Sequence, residues 1–280
     1  MTTRVLLIVS LLLATFCGLT TSFALTNTSN ATTLNTPTFF YGDIAENIKQ
    51  AQLGTYNPAR EFNLWVNSLF FTYTKMLPMS EAVVDKFGEE VGYYMNCYIR
   101  DLVAGTGVYW GTAGIWHIVI YNIYGKQLFT DKGRPFPAPE VLRDQMALAQ
   151  SSLLVYAGLP VLSEYLIENK MTKVYFYIEE VGGWGMYFLY LALYVICFEV
   201  GIYWMHRTLH ENKTLYKYVH KMHHKYNKAS TLTPWASIAF NPLDGILQVS
   251  TILCTYHTHH ILHTVVCYTT YYILHTTYYT

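Results

Sequence analysis

The chain has 280 residues, of which 52% are hydrophobic and only 13% are charged, and its formal net charge at pH 7 is zero. About a quarter of the residues in soluble globular domains are charged, so this composition argues against a soluble enzyme and favours a membrane protein. A chain without net charge also has no global field that would attract nucleic acid, and we expect no nucleic-acid partner.

Residues 1–24 have the features of a secretory leader. Arg4 supplies a weakly basic start, residues 5–19 are apolar, and residues 22–24 form a loose cleavage site of small residues. An uncleaved first membrane helix is the alternative interpretation.

Residues 25–100 are mixed in character, with scattered charges and prolines at positions 58 and 78. They predict short amphipathic helices in a lumenal or membrane-surface segment. Two glycosylation sequons, at residues 27–29 and 30–32, agree with a lumenal position.

Three apolar segments follow, at residues 102–124, 146–167 and 181–204. Each has about the 20 residues that cross a bilayer as a helix. The middle segment carries Gln150, Pro160 and Glu164, which predict a bent or shallow span. The sequence therefore predicts an all-α membrane protein with about four transmembrane or re-entrant helices.

Basic residues indicate the orientation of these helices. The connection at residues 125–145 and the stretch after Trp204 are both rich in lysine and arginine, and two predicted spans separate them. Both regions then lie on one side of the membrane, and the positive-inside rule makes that side cytosolic.

Five histidines lie close together just after the last of these spans. His206 and His210 are four residues apart, and His220, His223 and His224 have spacings of three and four, so each group shares one face of a helix. A turn around Asn212 would bring the two faces together. Imidazole suits divalent iron and zinc, so the sequence predicts a metal site in a cytosolic, histidine-rich helical cap. A solvated histidine-rich loop is the alternative.

Several common enzyme classes are excluded by their missing motifs. Arg207 occupies the position that holds the catalytic glutamate in the HExxH helix of zinc metalloproteases. The chain also has no GxSxG, P-loop or GxGxxG motif. Hydrolysis and nucleotide binding are therefore not expected.

Glu199 is an ionisable residue inside the last predicted span. It precedes His206 by seven residues and His210 by eleven, so all three share a helical face. Intramembrane carboxyl groups are costly and are candidates for function. We predict that Glu199 orients a ligating imidazole, with a protonated structural glutamic acid as the alternative.

The order HxxxH, HxxHH and Tyr226-Asn227 resembles the fatty acid hydroxylase and sterol desaturase superfamily. Residues 162–169, 198–210, 215–224 and 239–248 are similar to its sterol C5-desaturase (lathosterol oxidase) branch. The resemblance covers roughly residues 98–248, and we predict a membrane domain of this type at residues 101–250.

This resemblance implies a multi-pass enzyme of the endoplasmic reticulum membrane with a di-iron centre facing the cytosol. It implies a delta-7 sterol as substrate, O2, and electrons from NAD(P)H through cytochrome b5 and its reductase. The iron ligands by resemblance are His206, His210, His220, His223 and His224. Sterol C4-methyl oxidases and fatty acid hydroxylases share these boxes and remain alternatives.

Residues 251–280 form an anomalous, low-complexity tail. Members of the family have a third HxxHH box towards the C-terminus, whereas this tail has only HxHH at residues 257–260. One hypothesis is a mis-spliced end that lacks the third box, which predicts a catalytically inactive or single-metal chain. The other is a last apolar helix at residues 245–274 whose histidines line a polar face.

Overall fold

The computed structural model describes residues 43–78, 81–172, 174–228 and 230–258. The predictions for the leader, the sequons and residues 259–280 lie outside these ranges. All regular structure in the described ranges is helical, which confirms the predicted all-α class. The α-helices are α1 Ile44–Leu53, α2 Pro58–Thr74, α3 Glu81–Phe87, α4 Glu89–His117, α5 Gly125–Leu128, α6 Pro139–Tyr156, α7 Gly158–Glu168, α8 Trp184–Glu211, α9 Lys213–Leu215 and α10 Pro242–Thr258.

Short π and 3₁₀ segments lie between these helices. The π segments are Ile118–Ile123 and Tyr216–His220, and the 3₁₀ segments are Thr130–Lys132, Ile178–Val181, His223–Tyr226 and Pro234–Ala236. The predicted boundary near residue 100 falls inside α4, and α10 continues through residue 251, where the predicted tail begins.

Two stretches of the described chain are long and apolar enough to cross a membrane. They are Pro139–Glu168, which combines α6 and α7, and Trp184–Glu211, which is α8. They correspond to the second and third predicted spans. The first, at residues 102–124, is helical but does not meet the same standard of length and apolarity.

Helix α8 exposes most of its apolar surface. Only 11% of its most apolar stretch is buried, and the side chains of Phe188, Ile196 and Val200 are more than half exposed. A water-soluble fold would bury such side chains, so this surface fits contact with lipid.

The main hydrophobic core joins α4 and α6 to the chain that leads into α10. Tyr109 and Ala113 of α4, and Ala149 and Leu153 of α6, pack against residues 235–240. Two hydrogen bonds fix this loop to the helices: Tyr109 donates to the Trp235 carbonyl at 2.8 Å, and Ser152 donates to the Phe240 carbonyl at 2.8 Å. The start of α10 is thereby held at a defined position.

A buried carboxylate, Glu168, connects the N-terminal helices to the end of α7. It accepts hydrogen bonds from Asn63 at 2.8 Å, Tyr93 at 2.6 Å, Tyr94 at 3.0 Å and Arg60 at 3.2 Å. These donors come from α2 and α4, so a single side chain ties three helices together.

Candidate metal centre

The two histidine groups meet because the chain turns sharply after α8. The helix ends at Glu211, and the Asn212 side chain accepts hydrogen bonds from the backbone N–H groups of Thr214 and Leu215. Asparagine is a favoured N-cap residue because its side-chain oxygen pairs with such otherwise unpaired donors. The predicted turn around Asn212 is therefore confirmed, and the chain folds back against the end of α8.

Four histidines direct their Nε2 atoms at one point. The Nε2 atom of His210 lies 3.2 Å from that of His206, 3.2 Å from that of His220 and 3.1 Å from that of His224. The Nε2 atoms of His220 and His224 are 3.0 Å apart. Two nitrogen ligands about 2.1 Å from one ion lie roughly 3 Å apart when they occupy adjacent positions. The arrangement therefore fits a single metal ion.

His220 has its tautomer fixed by a buried carboxylate. Its Nδ1 atom lies 2.8 Å from Oδ2 of Asp244, and both side chains are fully buried. Nδ1 donates its proton to the carboxylate, so Nε2 carries a lone pair and faces His210 and His224. The other carboxylate oxygen, Oδ1, accepts a hydrogen bond of 2.7 Å from Nε2 of Gln248, one turn further along α10.

The protonation of the site favours metal binding. Burial and the repulsion of neighbouring imidazoles lower the pKa of His224 below its ordinary value. Burial alone would raise the pKa of Asp244, but the hydrogen bonds from His220 and Gln248 bring it below its ordinary value. His224 is therefore a neutral imidazole at pH 7 and Asp244 an ionised carboxylate, which are the states that a divalent cation requires.

The chemistry of this donor set fits a divalent transition metal such as iron or zinc. Imidazole nitrogens bind iron and zinc, and each of the four Nε2 atoms lies 3.0–3.2 Å from at least one other. Within the described residues one group of this kind is found. A second iron would need further donors, so the di-iron composition stays a prediction.

His223, the fifth predicted ligand, lies beside this group. Its ring stacks on that of His220 at 5.1 Å between centroids and meets the Phe240 ring at 5.1 Å with an interplanar angle of 79°. None of its ring nitrogens belongs to the group of converging ligand atoms in the described structure. Its role as a ligand stays a prediction.

Glu199, the predicted orienting carboxylate, is half-buried on α8. Among the described residues, no hydrogen bond or ion pair joins it to a histidine of the site. In the part of the chain that the structure describes, Asp244 is the carboxylate that contacts a histidine of the site, and no prediction from the sequence named it. A signal was present, since Asp244 and Gln248 are polar residues four apart in an apolar helix, but an aspartate in a first helical turn usually only pairs with the helix dipole.

The segment that carries the second histidine group is attached to α6. Tyr226 donates a hydrogen bond of 2.7 Å to Oδ2 of Asp144, and the Lys225 ammonium group pairs with the same oxygen. Further along, Gln145 is fully buried and donates to the Thr231 carbonyl at 2.6 Å. The Tyr-Asn pair that follows HxxHH thus begins with a residue that holds the segment in place.

Comparisons with known proteins find a family model and several relatives that resemble this chain. The sequence model of the fatty acid hydroxylase family matches residues 191–280. A delta(7)-sterol-C5(6)-desaturase of Nicotiana tabacum is 42% identical over 156 residues, which are 56% of this chain and 56% of the relative. A putative delta(7)-sterol-C5(6)-desaturase of Arabidopsis thaliana is 36% identical over 65% of this chain and 64% of the relative. A lathosterol oxidase of Rattus norvegicus is 35% identical over 46% of this chain and 41% of the relative.

The chain thus spans between about half and two thirds of the length of these two plant relatives. No solved structure matches the chain.

Proposed function

We propose that this chain is an O2-dependent di-iron sterol C5-desaturase of the fatty acid hydroxylase superfamily, whose family model matches residues 191–280. Its reaction would introduce the C5 double bond into a delta-7 sterol during sterol biosynthesis. The observation that carries the proposal is the convergence of four histidine Nε2 atoms in a chain whose relatives bear the names of such desaturases.

The residues of the site have separate tasks in this proposal. His206, His210, His220 and His224 would hold iron, and His223 would join them or serve a second ion. When bound, iron would supply the O2-dependent oxidation that removes two hydrogens from unactivated carbons of the sterol. Asp244 keeps the His220 ring in the orientation and tautomer that binding requires.

The surroundings of the site support a lipid substrate. The first two histidines lie at the end of α8, whose apolar side chains are largely exposed. Tyr203 and Trp204, one turn before His206, are 56% and 57% exposed. A flat, apolar molecule can approach the histidines along this surface without leaving the bilayer.

Location and partners follow from the same proposal. We place the chain in the endoplasmic reticulum membrane with its histidines facing the cytosol, where cytochrome b5 and its reductase would deliver electrons from NAD(P)H. Exposed lysines at positions 213, 217, 221 and 228 surround the histidine segment and support the cytosolic orientation.

Expression of the full chain in a host that lacks sterol C5-desaturase tests the proposal. We expect the extracted sterols to show the ultraviolet absorption of a 5,7-diene, and His210→Ala to remove it. Purified membranes given a delta-7 sterol, O2 and NADPH provide the same measurement in vitro.

Other products separate the alternatives. A hydroxylated or C4-demethylated product without diene would favour a fatty acid hydroxylase or sterol C4-methyl oxidase of the same superfamily. An iron-loaded chain that forms no oxidised product from any of these lipids would favour a catalytically inactive member.

A further inference from the structure

The segment that carries His220 and His224 has an outer side formed by lysines. They recur at every fourth position, and all of them are exposed: Lys213, Lys217, Lys221 and Lys225. These four residues form a lysine row. The positions between them that are buried or half-buried are 216, 219, 220, 223 and 224. The converging histidines therefore lie on the inner side of the segment, and a row of cations lies on its outer side.

Most of the positive charge of the lysine row is not neutralised. Lys225 pairs with Asp144, but in the part of the chain that the structure describes no ion pair reaches the other three lysines. Glu211, the acid that precedes the row, pairs with Arg207. The sequence has no acidic residue from position 212 to position 243. The row is therefore a positive surface that is available to an acidic partner.

Two exposed apolar side chains lie among these lysines. Tyr218 is 68% exposed and Met222 is 41% exposed, and the Lys217 ammonium group lies 5.1 Å from the centre of the Tyr218 ring. Aromatic and methionine side chains within a polar rim are the usual composition of a protein interface. The helix whose surface fits contact with lipid, α8, contains no lysine at all. The outer side of the histidine segment thus fits a protein better than the bilayer.

The proposed reaction needs electrons that neither the sterol nor O2 can supply. Formation of the double bond breaks two C–H bonds and releases two electrons and two protons, whereas the reduction of O2 to two water molecules takes up four of each. Two further electrons must come from outside, with two protons from water. The chain has no GxGxxG motif for a dinucleotide that could deliver them. A separate carrier protein must therefore approach the metal centre.

The lysine row lies directly behind the candidate metal ligands. Lys221 follows His220 in the chain, and Lys225 follows His224, so their Cα atoms are about 3.8 Å apart. A helical segment with its side chains is about 10–12 Å thick. A protein bound to the row is therefore separated from the centre by the thickness of one segment.

We propose that the lysine row, with Tyr218 and Met222 at its middle, is the docking surface for an acidic one-electron carrier protein. This inference rests on the proposed function and names the surface through which its electrons enter. The lysines attract the acidic partner and orient it, because complementary charge speeds encounter and suppresses wrong orientations. The two apolar side chains provide the contact that excludes water at the centre of the interface.

The experiment measures how tightly the soluble haem domain of a cytochrome b5, as the acidic probe, binds the purified full-length chain in lipid nanodiscs. The test variant is Lys217→Glu with Lys221→Glu. Its matched control is Lys126→Glu with Lys132→Glu, which makes the same change of charge at exposed positions predicted to lie on the same side of the membrane. We expect the Kd to rise by about 10- to 100-fold in the test variant and by less than about threefold in the control.

Two further measurements separate charge from apolar contact. Raising the salt concentration should weaken binding of the natural chain strongly and binding of the test variant little, because salt screens exposed charges. Lys217→Arg with Lys221→Arg keeps the charge and should keep the affinity. Tyr218→Ala should weaken binding at low and at high salt alike, because apolar contact is not screened.

A single turnover without the carrier distinguishes this inference from the proposed function. The chain is reduced with dithionite under nitrogen and is then exposed to O2 with a delta-7 sterol bound. The test variant should form as much diene as the natural chain by this route, but less when the reduced haem domain is the electron source. A natural chain that forms no diene by either route would refute the proposed function, and the binding measurement would still decide about the surface.

Two results would overturn the inference. One is an equal loss of affinity in the test variant and in its control, which would mean that overall charge attracts the probe. The other is a test variant that binds the haem domain like the natural chain. If that variant also lost the thermal stabilisation that phosphatidylserine gives the natural chain, the lysine row would be a surface for anionic lipid headgroups instead.

Discussion

Gly245, next to Asp244, offers a sharp test of the packing around α10. A Cβ atom at this position would lie 2.2 Å from the hydroxyl oxygen of Tyr156 and 2.6 Å from its Cζ atom. Contacts this short do not occur, so the substitution Gly245→Ala must move the ring, the first turn of α10, or both. Ordinary van der Waals contact begins near 3.4 Å, so the new Cβ atom and the Tyr156 hydroxyl oxygen must move apart by about 1.2 Å.

Two opposing contributions determine how much Gly245→Ala changes the free energy of unfolding. Overpacking of this kind costs roughly 1–3 kcal/mol, whereas alanine in place of glycine within a helix gains up to about 1 kcal/mol. We expect a net loss of about 1–2 kcal/mol. If α10 takes up half of the movement, the contact of 2.8 Å between Asp244 and His220 grows to roughly 3.4 Å, beyond a good hydrogen bond.

Thermal unfolding of the purified variant in detergent, with metal content measured on the same sample, provides the assay. The matched control is Gly111→Ala in α4, where a Cβ meets nothing within 4 Å and should be neutral or stabilising. Replacing Tyr156 with leucine in the Gly245→Ala background should restore part of the thermal stability and part of the metal content, since the clash is specific to the Tyr156 ring. If Gly245→Ala has the same melting temperature and the same metal content as the natural chain, the described packing of α10 is refuted.

Four further predictions follow. Glu168→Gln should lower stability by about 2–3 kcal/mol in thermal unfolding, because each carboxylate oxygen accepts from two donors and an NH2 group in place of one oxygen leaves two donors without an acceptor; an unchanged midpoint would contradict this. Gln145→Leu should cost about 2 kcal/mol and reduce metal content, since it releases the loop before α10. His223→Ala should lower the iron content of the purified chain if His223 joins the four converging histidines or holds a second ion, and unchanged iron content would remove this residue from the ligands. Chelation should lower the melting temperature of the natural chain but leave that of His210→Ala unchanged.

The sequence determined the class of the fold and much of the site. The low charge and the long apolar segments predicted helices that can cross a membrane, and two described stretches satisfy that prediction. The spacing of His206 and His210 predicted that both lie on one face of α8, because residues four apart on a helix share a face. His220 and His224 also converge on this point, but they belong to the π segment Tyr216–His220 and the 3₁₀ segment His223–Tyr226 and not to one α-helix, so the predicted helical face does not explain their position. Asn212 marked the turn between the two groups for an equally local reason, its preference for the N-cap position.

The predictions that remain open depend on contacts between distant residues. His223 satisfies the same spacing rule as its neighbours, yet its ring packs between His220 and Phe240, which is a property of the loop that follows. Glu199 shares a helical face with two ligands, but a shared face does not bring a carboxylate within hydrogen-bond distance of an imidazole. Among the described residues the partner of His220 comes instead from position 244, 24 residues further along the chain.

The local periodicity of the sequence therefore determined which residue types gather at the centre. Only the tertiary structure decided which carboxylate fixes the tautomer, because α6 and the core around Phe240 set the position of α10. Hydrogen bonds between side chains act over about 3 Å, and no repeat in a sequence encodes distances of that size between separate helices.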